Sequence, residues 1–243
     1  MKKIQRYKHD MDVSYALGAT LTFELLKSHP EWVTRVFLSS SLEETESIAG
    51  LKELCEENSI RCETNDKAFN ILSPKGNCYV IGEFLKAKMT LDAGCHIVLV
   101  NPSDAGNMGT IIRTAVGFGI TNIAVIRKAV DFYDPKTVRA SMGAAFHVKA
   151  EYFDSIEDYC KRFPENERYA FMLKASTPIT DITIKEPYSL IFGNEATGLP
   201  DDFADFCTSV VIRHSKDIDS LNLPMAASIA MYEFTKKRWG DIY

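Results

Sequence analysis

Residues 96–100 (His-Ile-Val-Leu-Val) and 122–126 (Asn-Ile-Ala-Val-Ile) are short runs in which apolar residues follow one another with no polar alternation. A strand of that composition has both faces covered, the condition of a strand inside a parallel sheet flanked by helices. Residues 108–118, between them, read as a helix, so the three segments form one βαβ unit. Further strands are expected at 169–173, 188–192 and 209–212, and helices at 155–162 and 221–238. The final helix carries Ala226, Ala227, Ile229, Ala230 and Tyr232 as its apolar positions, with Trp239 packing near its end. The expected class for this half is α/β with a parallel sheet.

The first 85 residues also alternate helix and strand. Leu17, Leu21 and Leu25 at helical spacing predict a helix over 14–27, ended by His29-Pro30. Strands follow at 33–38, 60–63 and 77–85, and helices at 42–58 and 67–72. The polar and small residues of 86–94 make the best linker. At 243 residues the chain exceeds a single-domain length of roughly 100–150, so the expected division is 1–90 and 91–243.

Composition narrows the class. The hydrophobic fraction of 46% and charged fraction of 25% exclude a disordered or collagen-like chain. No apolar run approaches the roughly 18 residues of a membrane helix, so no membrane partner is expected. The basic start (Lys2, Lys3, Arg6, Lys8) leads into no apolar core or cleavage site, which makes a cytoplasmic location the expectation. Six cysteines without a C-x-x-C pair and five histidines without ligand spacing point to no metal and to reduced thiols. The net charge of −5 argues against nonspecific coating of nucleic acid. Local clusters remain, among them Lys136 with Arg139.

Three stretches exceed what core packing needs. Asn101-Pro102-Ser103-Asp104-Ala105-Gly106-Asn107-Met108-Gly109 joins a buried strand to a helix in which Arg113 interrupts apolar residues. Ligands of open α/β sheets bind at such strand ends. The glycines do not fit G-x-G-x-x-G, which removes the dinucleotide fingerprint and with it a nucleotide-dependent oxidoreductase. Gly193-Asn194-Glu195-Ala196-Thr197-Gly198-Leu199 empties a hydrophobic strand into a loop with a carboxylate and an amide, and no lysine follows Gly198 to make a triphosphatase loop. Ser220-Leu221-Asn222-Leu223-Pro224 precedes the last helix, where Ser220 or Asn222 could serve simply as a cap.

In order and spacing, these stretches resemble the three motifs of the SpoU (TrmH-like) branch of the SPOUT RNA methyltransferases. Asn107, Gly109, Ile111, Arg113, Thr114 and Ala115 match the first motif; Gly193, Glu195, Gly198 and Leu199 match the second; Ser220-Leu221-Asn222, Ala226-Ala227 and Tyr232-Glu233 match the third. The segment 135–144 is also similar, and the resemblance covers about residues 95–235. More loosely, residues 14–85 are similar to the small α/β RNA-binding domain, related to ribosomal proteins, that often precedes this domain. Leu17-Gly18, Val36-Phe37 and Cys78-Tyr79-Val80-Ile81-Gly82 carry that likeness. Ile212-Arg213-His214 departs from the Ile-Pro-hydrophobic sequence of many relatives, which alters the local charge and bears on substrate choice.

The resemblance implies a deep trefoil knot in the C-terminal domain, a homodimer with active sites straddling its interface, and S-adenosylmethionine as cofactor. The implied cofactor wall is Gly193, Ile212 and Leu221, with Asn194 and Gly198 in the same loop. The implied reaction is attack of a ribose 2′-hydroxyl on the sulfonium methyl, in ribosomal RNA in preference to transfer RNA. It places Arg113 at the hydroxyl. A guanidinium is ordinarily only a donor, so Arg113 either orients the hydroxyl and a flanking phosphate or acts as base in a pocket that depresses its pKa. Asn107, Glu195, Ser220 and Asn222 form the implied polar shell, with Glu195 either in the chemistry or holding its loop. The alternative is a noncatalytic RNA-binding or ribosome-assembly protein with a relict cofactor pocket. Loss of residues 1–90 is expected to leave the methyltransferase domain folded.

Overall fold

The computed structural model describes residues 4–73 and 77–238. Lys2, Lys3 and Trp239, singled out above, lie outside the described residues. The chain forms two compact units, the first from 1–88 with Asp131–His147 and the second from Met89–Val130 with 148–243.

The first unit runs β1 (Val13–Leu17), α1 (Ala19–Ser28), β2 (Val33–Leu38), α2 (Glu46–Glu57), β3 (Arg61–Thr64), α3 (Asp66–Leu72) and β4 (Val80–Leu85). Its sheet has the order β1-β4-β2-β3, with β4 antiparallel to both neighbours and β2 parallel to β3. The helix expected over 14–27 is corrected here. Val13–Leu17 is a strand registered from Val13 opposite Leu85 to Leu17 opposite Ile81, and the helix begins only at Ala19. Tyr15 and Ala16 are both buried, which suits a strand covered on both faces, and Gly18 at φ 125° supplies the reversal that no other residue adopts cheaply. Leu21 and Leu25 do line the buried face of α1.

In the second unit the chain forms β5 (His96–Val100), α4 (Ala105–Gly117) and β6 (Asn122–Ile126). It then supplies α5 (Pro135–Ala140) and a 3-10 turn (Ala144–Phe146) to the first unit, and returns as β7 (Lys149–Phe153), α6 (Ile156–Arg162), β8 (Glu167–Phe171), β9 (Thr177–Pro178), β10 (Tyr188–Phe192), β11 (Thr208–Val211) and α7 (Leu223–Thr235). The seven strands lie parallel in the order β7-β6-β5-β10-β8-β11-β9. Every residue of β5, β6 and β10 is buried, as their unbroken apolar runs require. Strands β7 and β9 carry no such run and have no counterpart in the sequence reading. The helix expected over 221–238 is α7 followed by a 3-10 turn (Lys236–Arg238). No helix among the described residues is long and apolar enough to cross a membrane.

Segment 131–147, placed with the second domain by sequence, packs with the first unit. Phe132, Tyr133 and Phe146 are buried there, and Phe84 of β4 meets Tyr133 and Phe146 edge-on at 5.8 and 5.5 Å. Ser14 donates to the Tyr133 carbonyl, and Lys86 pairs with Asp131 at 2.8 Å.

A polar chain crosses the start of β5 and β10. The Asn166 amide donates to Ser189 Oγ (3.1 Å), which is 2.6 Å from Tyr159 Oη, itself 2.8 Å from His96 Nδ1. His96 Nε2 lies 2.8 Å from the Asp92 carbonyl, which can only accept, so Nε2 carries the proton and Nδ1 accepts.

Candidate functional site

Because the strands of the second unit are parallel, the loops after β5, β8, β10 and β11 gather at the carboxyl ends of the strands, with β10 lying between β5 and β8. After β5, Asp104 caps α4 by accepting the N–H of Asn107 at 2.7 Å. After β10 the chain folds back on itself. Asn194 Oδ1 accepts the N–H groups of Ala196 (2.9 Å) and Thr197 (3.3 Å), and the Gly198 N–H returns to the Asn194 carbonyl at 2.9 Å. A Cβ on Gly193 would stand 2.2 Å from the Gly198 carbonyl carbon, so only glycine permits this crossing.

Glu195 joins the two loops. Its Oε2 accepts the Ser103 N–H (3.1 Å) and hydroxyl (2.7 Å), and its Oε1 accepts the Asp104 N–H (3.3 Å) and the Asn107 amide (3.2 Å). Beside it, Asn194 Nδ2 donates to the Asn101 carbonyl at 2.8 Å. Burial pushes the Glu195 carboxyl pKa up, but the donors from Ser103 and Asn107 outweigh it and hold the group below its ordinary range.

Next to this clasp lies a cleft of about 210 Å³. Gly193, Asn194, Glu195, Gly198, Ile212, Ser220 and Leu221, all singled out from sequence, line it, together with Phe171, Leu173 and Ala226. His214, where the sequence departs from its relatives, lines it too, and its Nδ1 donates to the Ile212 carbonyl at 2.9 Å. The remaining candidates stand elsewhere. Asn107 belongs to the clasp. Arg113 is exposed on α4, makes no hydrogen bond or ion pair among the described residues, and does not line the cleft. Asn222 is exposed at the start of α7, where its carbonyl accepts the Met225 and Ala226 N–H groups and its side chain caps nothing. Ser103 was missed as a site residue. Its signal was its place in the loop three residues past the last residue of a buried strand.

Among the described residues, no lysine or arginine lines the cleft. That composition does not suit a polyphosphate, whose charge needs compensation. It does fit an adenosyl cofactor carrying a sulfonium cation, with apolar walls for the adenosine, main-chain edges for its polar atoms, and the Glu195 carboxylate as the one permanent charge among the described residues.

Fold and cleft thus define a parallel-sheet α/β protein with a nucleoside-type site at the strand ends. The chain belongs to the SpoU rRNA Methylase family, whose model matches residues 94–232. It is 31% identical over 156 residues to a 23S rRNA (uridine(2479)-2′-O)-methyltransferase of Streptomyces viridochromogenes, covering 58% of this chain and 52% of that one. With a 23S rRNA (guanosine(2553)-2′-O)-methyltransferase of Bacillus subtilis it shares 27% over 181 residues, covering 64% and 71%. An AdoMet-bound rRNA methyltransferase from Sinorhizobium meliloti has the same fold, with a TM-score of 0.78 at 24% identity over 93% of this chain and 88% of that one. The chain spans about half the length, or less, of the first curated relatives it matches, at 53%, 28% and 52%.

Proposed function

We propose that this chain is an S-adenosylmethionine-dependent RNA methyltransferase acting on a ribose 2′-hydroxyl, with ribosomal RNA favoured over transfer RNA. The observation that carries it is the cleft beside the Glu195 clasp, without lysine or arginine among the described residues and built from motif residues of the family to which the chain belongs. The relatives named for 23S rRNA support the preferred target class.

When bound, the cofactor supplies an electrophilic methyl group. Main-chain groups of Gly193, Ile212 and Leu221 hold its adenosine, and Asn194 and Gly198 keep that wall in shape. Glu195 and Asn107 lock the loop over the site, with Glu195 acting by position and not as a base. Ser220 and Asn222 complete the polar shell. Arg113 orients the 2′-hydroxyl and an adjoining phosphate as a donor.

Arg113 stands outside the cleft of its own chain, which favours a homodimer in which the arginine of one protomer completes the cleft of its partner. Met225, Ile229 and Tyr232 support this, forming an exposed apolar stripe on α7. The trefoil knot belongs to the same proposal, as do RNA binding by the N-terminal part, its kinship with ribosomal proteins, and a cytoplasmic location.

The test is incubation with methyl-labelled S-adenosylmethionine and total ribosomal or transfer RNA, followed by mapping of alkali-resistant 2′-O-methyl positions. Label at one ribosomal position is the expected result. Cofactor binding without transfer to either RNA would instead favour the noncatalytic alternative.

A further inference from the structure

The first unit has a cavity of its own, about 500 Å³ in volume, lined by none of the residues of the cleft. That size lies within the roughly 300–1,000 Å³ of ordinary ligand pockets. Its lining combines two chemistries. Leu17, Leu72 and the ring of Tyr7 give an apolar and aromatic surface, while Arg6, Lys136 and Arg139 bring three cations to the same opening. Lys136 and Arg139 are one turn apart on α5 and so share a face.

All three cations are exposed, and none forms an ion pair or a side-chain hydrogen bond among the described residues. Other cations of the same unit are neutralised, Arg35 by Glu83 and Lys86 by Asp131. Asp134 is the carboxylate lining the cavity, and its Oδ1 is engaged by the Lys136 N–H at 2.8 Å. In a chain of net charge −5, three cations against one carboxylate around one apolar opening call for an anionic ligand. The aromatic wall is held in place, because the Tyr7 hydroxyl donates to Asp131 and Lys86 Nζ lies 4.9 Å from the ring centroid. A fixed ring beside cations is the arrangement that takes an unstacked base together with its phosphate.

We propose that this cavity binds single-stranded RNA, with Arg6, Lys136 and Arg139 on phosphates and a base against Tyr7. The assignment rests on the reading of the chain as an RNA methyltransferase and adds to it a second contact point, built from the first unit. It also makes the 131–147 segment part of the RNA-binding surface.

The test is titration of the full chain with a fluorescein-labelled 12-nucleotide single-stranded RNA across a KCl series. Lys136→Ala/Arg139→Ala removes two exposed side chains and should leave thermal unfolding and S-adenosylmethionine binding unchanged. It should weaken RNA binding at least about tenfold and flatten the log-log salt slope by about 1.4, at roughly 0.7 per phosphate contact. Lys52→Ala, which removes a cation of the same unit outside the cavity, should change neither. If the wild type binds the RNA and the double variant keeps its affinity and slope, this site is overturned and the methyltransferase reading stands. If the wild type neither binds RNA nor transfers methyl, both fall. A polyglutamate peptide that displaces the RNA from the cavity at equal charge would overturn the nucleic-acid assignment.

Discussion

Glu195 and Ser103 are 92 residues apart in sequence, yet one carboxylate oxygen of the first takes both the N–H and the hydroxyl of the second, at 3.1 and 2.7 Å. Two loops from neighbouring strands are thereby fixed at a single point. Glu195→Ala should weaken S-adenosylmethionine binding by about tenfold, or about 1.4 kcal/mol, and Glu195→Gln by less. The folded pKa is depressed, so the contribution of the clasp is complete above the unfolded value near about 4.3 and is lost as pH falls through the folded one. Calorimetric titration down to acid pH should show that loss in the wild type and not in Glu195→Gln.

The two glycines of the same loop should respond differently to alanine. At Gly193 the new Cβ meets the Gly198 carbonyl at 2.2–2.4 Å, so backbone must move, with a cost of about 1–3 kcal/mol and loss of the cofactor site. At Gly198 nothing lies within 4 Å, but φ is +69°, and the left-handed backbone costs about 1–2 kcal/mol. Urea unfolding should show two modest losses, with cofactor binding abolished only in Gly193→Ala.

Arg113→Ala should reduce methyl transfer by roughly 10²–10³-fold, as removal of one oriented donor does, with cofactor affinity intact. Arg113→Lys should rescue little, since an ammonium cannot replace a planar fork. In a dimer with shared sites, mixing Arg113→Ala with Gly193→Ala protein should restore transfer that neither variant has alone. A fully active monomer by light scattering would refute the shared site.

Burial within the sheet pushes the His96 pKa down, so the folded protein holds it neutral. The unfolded chain binds the proton more readily. Stability should therefore be full above about pH 6.5 and fall by about 1.4 kcal/mol per pH unit from there down to the folded value. His96→Gln should be less stable by about 1–3 kcal/mol at pH 7.5, and unfolding between pH 5.5 and 7.5 should lack this slope.

A chain lacking residues 1–90 is now expected to fail, contrary to the expectation from sequence. Phe132, Tyr133 and Phe146 would lose the Phe84 ring and the sheet that bury them. Exposed aromatics should make the truncated protein aggregate or bind a hydrophobic dye. A soluble truncation with a sharp melting transition would show that the segment can be spared.

Legibility followed the range of the forces. Strands β5, β6 and β10 could be read because full burial writes an unbroken apolar run. Residues 14–17 misled because Leu17 falls in phase with the leucines of α1, while the strand that selects the extended form, β4, lies some 65 residues away. The motif residues lining the cleft were legible by type and order. The choice between chemical and positional roles for Glu195 depends on contacts across 88 and 91 residues that leave no local periodicity.

The excursion of 131–147 also has a consequence for biogenesis. A ribosome extends a chain at roughly 5–20 residues per second, so the aromatic residues that complete the first core emerge seconds after the sheet they cover. In that interval β5, α4 and β6 emerge from the tunnel, while β7 and β10, which flank them in the sheet, have not yet emerged. The nascent chain thus carries two unfinished cores at once, and neither half can mature before the other has begun. Chaperone dependence during synthesis should accordingly peak between the emergence of residues 90 and 147, and not at the end of the chain.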